Sequence, residues 1–395
     1  MSYQYGSVRV GSGSRRDSVV EDDSWPAAVS RGAKVTIYSV ALVCCLVLER
    51  ATFKIMVDRM LPVRYILIQA VALTYMLMLS VVVIRKTQQG HLFPNVKTFP
   101  ALHVFFVALL DALQLTMMML AGAYVTPTLT VLLLQAKVPL SVAIAPSQYH
   151  SIQVVGAVVI TLATATALTP PIRDWVSSGY AQYQSEGSKV QEQAEGELSS
   201  SIPGVNSLVY VLSCLPAVGS AWVKEWSLRK MSVPVDPHYL SLRVSFYEVF
   251  ILFAISPLVY KLQGIGSATG LLPLSGTASL TNGWTCVVLG MKPSSLTDEG
   301  SGGSSLEDPQ CSWGFVWVLA YVLSALLASN CVDGVVKYSK GVKIMHRSMT
   351  VSVLFGFIVM AVYSHCYGGH VWQESSVNAM TGLSLFLLLV GLEIF

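Results

Sequence analysis

The sequence predicts an all-α membrane protein, with ten transmembrane helices arranged as two inverted five-helix repeats. Three observations carry that expectation. Ten apolar stretches lie near 34–57, 62–84, 99–122, 126–146, 150–170, 206–227, 238–260, 313–336, 343–364 and 374–395. Each approaches the about 20 residues that a helix needs to cross hydrocarbon. The composition agrees, at 53% hydrophobic and 12% charged, where an ordinary soluble domain carries about 25% charged residues. Finally, a polar stretch at 171–205 leaves five apolar segments on each side. With an odd number per half, the second half enters the membrane from the opposite face, so any structural repeat is inverted. The runs are too long and too continuously apolar for barrel strands.

Taken in order, residues 1–33 form a polar tail rich in Ser and Gly, with Arg15-Arg16 and Glu21-Asp22-Asp23, expected to be disordered. The tail lacks an apolar signal-peptide core, so the first span must direct insertion. Its Tyr5-Gly6-Ser7-Val8 has the form of a tyrosine-based endolysosomal sorting signal. Residues 34–170 make repeat 1 and residues 206–395 make repeat 2, joined by the polar linker 171–205. Within repeat 2 the loop 263–312 is far longer than the others. Its apolar part, Asn282 to Met291, suits the bundle or membrane surface, whereas Asp298 to Asp308 is a Gly/Ser/acidic tract.

Charge sets the orientation. Lys and Arg residues flanking the spans concentrate on the side of Arg15, Arg16, Arg85, Lys86, Arg229 and Lys230, fifteen against seven. The positive-inside rule therefore places both termini in the cytosol and the linker and long loop on the other side.

Ionisable groups within the spans are the sharpest local signal. A charge at mid-bilayer costs about 2.5–3.5 kcal/mol on insertion scales, so charges retained there face a cavity or a partner. The deepest are Asp111, Lys137, Glu248 and Asp333; Glu49, Arg50 and Lys54 lie later in the first span, Glu225 near the end of the sixth and Arg243 near the start of the seventh. Asp111 reads as a cavity carboxylate for a cation or proton, or as the structural partner of Lys137. Lys137 follows Gln135 and precedes Pro139, which frees a backbone carbonyl one turn back and suits a cavity wall. Glu248 reads as a substrate or proton contact, or as a partner of Arg243 despite an offset poor for one helix. Asp333 is a cavity group or a helix-end carboxylate near Lys337. Glu49 and Arg50 are adjacent, so only one is expected to line the same cavity.

Cys44, Cys45, Cys214, Cys331 and Cys366 fall in or beside spans and read as small buried side chains. Cys286 and Cys311 lie in the long non-cytosolic loop, where an oxidising lumen permits a disulfide; two unpaired thiols are the alternative. His346, His365 and His370 have no metal-ligand spacing. The chain holds no nucleotide-binding glycine pattern and no nucleophile elbow. Neither catalytic residue, metal nor cofactor is expected, and transport would draw on a gradient. The expected partners are a small-molecule substrate, protons and membrane lipid, with no nucleic acid; a monomer is favoured.

Several stretches resemble the chloroquine-resistance-transporter family, a branch of the drug/metabolite transporter superfamily. They are Leu110-Asp111-Ala112; Leu133-Leu134-Gln135 with Pro139; Val244-Ser245-Phe246-Tyr247-Glu248 with Phe250; Asn282-Gly283-Trp284-Thr285-Cys286-Val287-Val288-Leu289-Gly290 before a loop with Cys311; and Asp333 after Cys331. The resemblance spans about 34–394. It implies the drug/metabolite transporter fold around a central cavity and residence in an acidic vacuolar or endolysosomal membrane. It also implies proton-coupled export of amino acids, small peptides or cationic amphiphiles to the cytosol. Asp111, Glu225, Glu248 and Asp333 would supply negative potential, and Arg50 falls where the family controls access of cationic drugs. The chain departs from the family in having one pair of loop cysteines rather than two, Lys137 where a small polar residue is usual, and no cytosolic tail after the tenth span. Two other readings stand beside this one. Gln135-Ala136-Lys137-Val138 and Val335-Val336-Lys337-Tyr338 resemble nucleotide-sugar transporters of the same superfamily, although Ser339-Lys340-Gly341 then departs from their pattern. The third is a non-transporting membrane scaffold that uses the 263–312 loop.

Overall fold

A computed structural model of the chain describes residues 31–60, 63–89, 100–146, 149–185, 202–230, 236–265, 284–288, 313–338, 343–367 and 379–395. The regular structure among them is helical throughout. In order the helices are α1 (Arg31–Arg59), α2 (Arg64–Gln88), α3 (Ala101–Gly122), α4 (Pro127–Leu133), α5 (Lys137–Ile144) and α6 (Ser151–Ser185). They continue as α7 (Ile202–Leu212), α8 (Cys214–Lys230), α9 (Pro237–Ile265), α10 (Gly314–Tyr338), α11 (Lys343–Tyr367) and α12 (Ala379–Ile394). Lipid offers no partner for backbone N–H and C=O groups, so a chain this apolar resolves into helices that satisfy their own.

Eight segments are long and apolar enough to cross a membrane. They are α2, α3, the α4–α5 pair, α6 to Ser177, the α7–α8 pair from Gly204 to Ser227, and the apolar lengths of α9, α10 and α11. The other two expected spans differ in a readable way. Helix α1 is 29 residues long but carries Glu49, Arg50, Lys54 and Asp58 in its later half, and α12 is apolar but only 16 residues long. Helix α6 also overruns its expected end, continuing through Pro170 and Pro171 to Ser185, so the linker expected at 171–205 begins as helix. The tail with its Tyr5 motif, most of the 263–312 loop, Cys311 and His370 lie outside the described residues.

The outer surface is what lipid requires. Large apolar side chains such as Leu102, Phe106, Ile152, Phe250 and Phe386 are exposed, while Met56, Ile66, Leu67, Met119, Leu132, Tyr210, Val318 and Tyr321 form one buried core. Helix α1 packs along α10 and α11; α6 along α12 and α7; α9 on α2 and α3; α3 on α7 and α8; α4 on α11; α5 on α8; and α10 on α2. Lipid tails are as apolar as leucine, so close packing rather than hydrophobic exclusion holds such helices together, and small residues mark the contacts. At the α6–α12 crossing a Cβ added to Gly156 would lie 2.8 Å from the Gly391 carbonyl oxygen and the Phe395 nitrogen. Only glycine permits that approach.

Two spans are broken in mid-course. Between α4 and α5, Leu134–Ala136 tightens to a 3₁₀ turn immediately before the first turn of α5, which holds Pro139. Helix α7 gives way to α8 at Ser213, with Pro216 in the first turn of α8. Proline lacks the N–H that would continue the ladder, so it sits where that donor is not needed and the preceding turn adapts. The breaks meet, because the Cys214 thiol lies 3.9 Å from the Leu133 carbonyl oxygen.

The end of α3 is also held from outside. The Lys54 ammonium, fully buried, donates to the Gly122, Ala123 and Val125 carbonyls at 3.0, 3.5 and 2.7 Å and pairs with Asp58 at 2.7 Å. Arg64 adds a 2.8 Å bond to the Leu120 carbonyl. Cations there answer both the unpaired carbonyls and the negative end of the helix dipole. Lys54 is therefore an internal strut rather than a flanking charge.

Candidate functional site

Asp111 sits at the middle of α3 and accepts a 2.8 Å hydrogen bond from Lys224 of α8. Lys224 starts near the end of its span; lysine side chains on helices lean back toward the N-terminus, which here means toward mid-membrane. The expected partner of Asp111, Lys137, is replaced by Lys224 because α3 packs on α7, α8 and α9. Glu248 of α9 is half-buried and close enough to both Asp111 and Lys224 to interact electrostatically. The carboxylate and ammonium side chains of the ion pair keep 19% and 31% of their surface accessible, whereas neighbouring Ala112 and Val249 keep 0% and 8%.

A second cluster lies on α1 and α5. Glu49 is within electrostatic reach of Arg50 and Lys137. Arg50 is near the Tyr210 phenol and reaches the Ser352 carbonyl of α11 at 3.4 Å. A Cβ at Gly356 would lie 3.4 Å from the same guanidinium. Glu49 and Arg50 were expected to diverge, yet both stay interior because α1 is packed between α10 and α11. Between the clusters stands Tyr321 of α10, whose hydroxyl senses Glu49, Tyr210, Tyr75 and Glu248. The Tyr210 hydroxyl is buried without a hydrogen-bond partner.

The remaining predicted residues are spread more widely. Gln135 lies half-buried in the 3₁₀ turn beside Lys137. Glu225 is near Tyr149, between α5 and α6, where burial and that carboxylate push the phenol's pKa up. Asp333 is close to His238, at the end of the bundle where Lys86 pairs with Asp236 at 3.2 Å. Cys286 is buried.

Four participants escaped the sequence reading. By chain position Lys224 reads as a charge flanking its span, and Tyr75, Tyr210 and Tyr321 read as ordinary apolar-span residues. The tyrosines carry a usable signal: membrane tyrosines favour the interfaces, and these three lie inside apolar spans.

The charges divide the site. Glu49, Arg50 and Lys137 sum to one positive charge; Asp111, Lys224 and Glu248 sum to one negative charge. Curated proteins give no match to the chain. The family model described as CRT-like, chloroquine-resistance transporter-like, matches residues 35–395. The bundle, its charged interior and this nearly complete match place the chain in the chloroquine-resistance-transporter-like family, as a multi-pass membrane transporter.

Proposed function

We propose that the protein is a proton-coupled secondary transporter that carries amino acids or small peptides out of an acidic vacuolar or endolysosomal compartment into the cytosol. The observation that carries this reading is the opposed charge of the two clusters. A zwitterion sets its carboxylate against Arg50 and Lys137 and its ammonium against Asp111 and the carbonyl oxygen of the protonated Glu248, whereas a dicationic amphiphile would meet Arg50 and Lys137 unfavourably. Lys224 neutralises one of the carboxylates Asp111 and Glu248. Glu248, the one left over, is the proton carrier in this scheme, loaded on the acidic side and discharged on the neutral side.

The packing pattern supports ten spans in an inverted repeat. Numbering the ten apolar segments in order and shifting each by five exchanges the contact of spans one and eight (α1–α10) with that of three and six (α3 with α7–α8). The same shift returns two and seven, four and nine, and five and ten to themselves, and all three of those pairs are packed. The broken spans fit a midplane binding site. The excess of Lys and Arg on the side of Lys86 survives the removal of the interior Lys54, Arg64 and Lys224, which favours cytosolic termini. A Cys286–Cys311 bridge in the lumenal loop belongs to the same scheme.

Reconstituted flux tests the reading. Uptake of a labelled zwitterionic dipeptide should follow an imposed pH gradient and saturate. Exchange of a nucleotide sugar for its monophosphate would point instead to a phosphorylated-metabolite carrier, and absence of flux for every solute to a scaffold.

A further inference from the structure

The turn that joins α3 to α4 is buried and rich in acceptors. Ala123 and Val125 are 3% and 1% exposed. A Cβ added to Gly122 would lie 3.3 Å from the rings of Phe53 and Tyr210, so α1 and α7 press on the turn from two sides. Four oxygens converge there: the Gly122, Ala123 and Val125 carbonyls and a carboxylate oxygen of Asp58. They stand 3.0, 3.5, 2.7 and 2.7 Å from the Lys54 nitrogen, which no solvent reaches. An ammonium has three protons to donate, so the oxygens around it outnumber its directional bonds, as they would around a spherical ion. Carbonyl oxygens that replace a hydration shell are the means by which proteins hold K⁺. Mg²⁺ demands oxygens at about 2.0–2.1 Å and Ca²⁺ at about 2.3–2.6 Å, both tighter than this cage. The nearby Arg64 guanidinium is engaged by the Leu120 carbonyl and the Tyr124 hydroxyl at 2.8 and 2.9 Å.

We propose that the α3–α4 turn and Asp58 form a site for a large monovalent cation, of the size of K⁺ or ammonium, which the chain fills with its own Lys54 side chain. Attachment to α1 gives this ammonium an effective concentration that no free ion matches, so the site stays occupied. The contact of α1 with the α3–α4 turn then draws no ion from solution, and transport needs neither Na⁺ nor K⁺ on either side of the membrane. A cage of this kind differs from a plain strut in a measurable way. A strut is lost with its side chain, whereas a cage emptied of Lys54 takes up a free ion of matching size and charge and is stabilised by it. The consequence for flux rests on the transporter reading above; the cage itself does not.

The test compares full-length wild type, Lys54→Ala and Lys54→Met in detergent, following thermal unfolding in chloride salts of equal ionic strength. Alanine clears the cage, and methionine refills it with an uncharged chain. Ammonium, K⁺ and Rb⁺ should raise the unfolding temperature of Lys54→Ala by roughly 2 °C for each tenfold rise in concentration, measured against N-methylglucamine as the bulky reference cation. Mg²⁺ should do no better than that reference, and wild type and Lys54→Met should not respond. If Lys54→Ala aggregates in N-methylglucamine, monodisperse recovery in ammonium or K⁺ is the same result. A Lys54→Ala protein that gains nothing from any of these ions, folded or aggregated, would overturn the proposal, as would an equal response in Lys54→Met. Dipeptide flux through reconstituted wild type should be unchanged when N-methylglucamine replaces all Na⁺ and K⁺; a tenfold fall would overturn the self-sufficiency of the site. Unfolding is read without transport, so a wild type that moves no substrate in any salt would overturn the functional reading and leave the cage standing.

Discussion

At the scale of single residues, Asp111, Lys224 and Glu248 have separable roles. Removing one member of an enclosed ion pair leaves the other charge uncompensated, but this pair keeps part of its surface accessible, so water softens the loss. Asp111→Asn should therefore fold, with an unchanged gel-filtration profile, and lose transport at least roughly tenfold; wild-type flux would remove Asp111 from the site. Glu248→Gln should retain counterflow of labelled for unlabelled substrate yet lose accumulation driven by a pH gradient. Lys54→Met is predicted to behave in the opposite manner. It strips three carbonyls of their donor and abandons Asp58, at a cost of about 3 kcal/mol. Thermal unfolding in detergent should shift downward, with little change in flux per folded molecule. The sequence exposed Asp111, Lys137 and Glu248 because a mid-span charge is conspicuous on any hydropathy reading. It concealed Lys224, whose long stem starts near a helix end and returns to mid-membrane; chain position does not reveal where the ammonium lies.

At the scale of elements, the breaks and crossings make the predictions. Pro139 closes off the α4 ladder and leaves the 3₁₀ turn that carries Gln135 beside Lys137. Pro139→Ala should regularise this span, raise thermal stability and slow transport by straightening the cavity wall; faster flux would argue against that assignment. Gly156→Leu should disrupt the α6–α12 crossing, because the obstructing atoms are backbone and cannot swing away. A lowered unfolding temperature and loss of monodisperse protein are the expected readouts. Most helices were legible from apolar length alone, since lipid leaves the backbone few alternatives. Their ends were less so: α6 continues through two prolines into a polar segment, because outside the hydrocarbon composition no longer dictates where a helix stops. The meeting of Cys214 with Leu133 is a tertiary contact that no local pattern encodes.

At the scale of the whole molecule, the opposed charge of the two interior clusters is what links the fold to its proposed work. The arrangement depends on contributions from α1, α3, α5, α8 and α9, so it comes into being only when both halves assemble. The direct measurement is flux of a labelled zwitterionic dipeptide into liposomes containing the purified protein, with internal pH recorded simultaneously by a trapped dye. The account predicts saturable uptake accelerated by an acidic exterior, proton entry in step with the peptide, and loss of that coupling in Glu248→Gln. Peptide movement that ignores the pH gradient, with no accompanying protons, would contradict it.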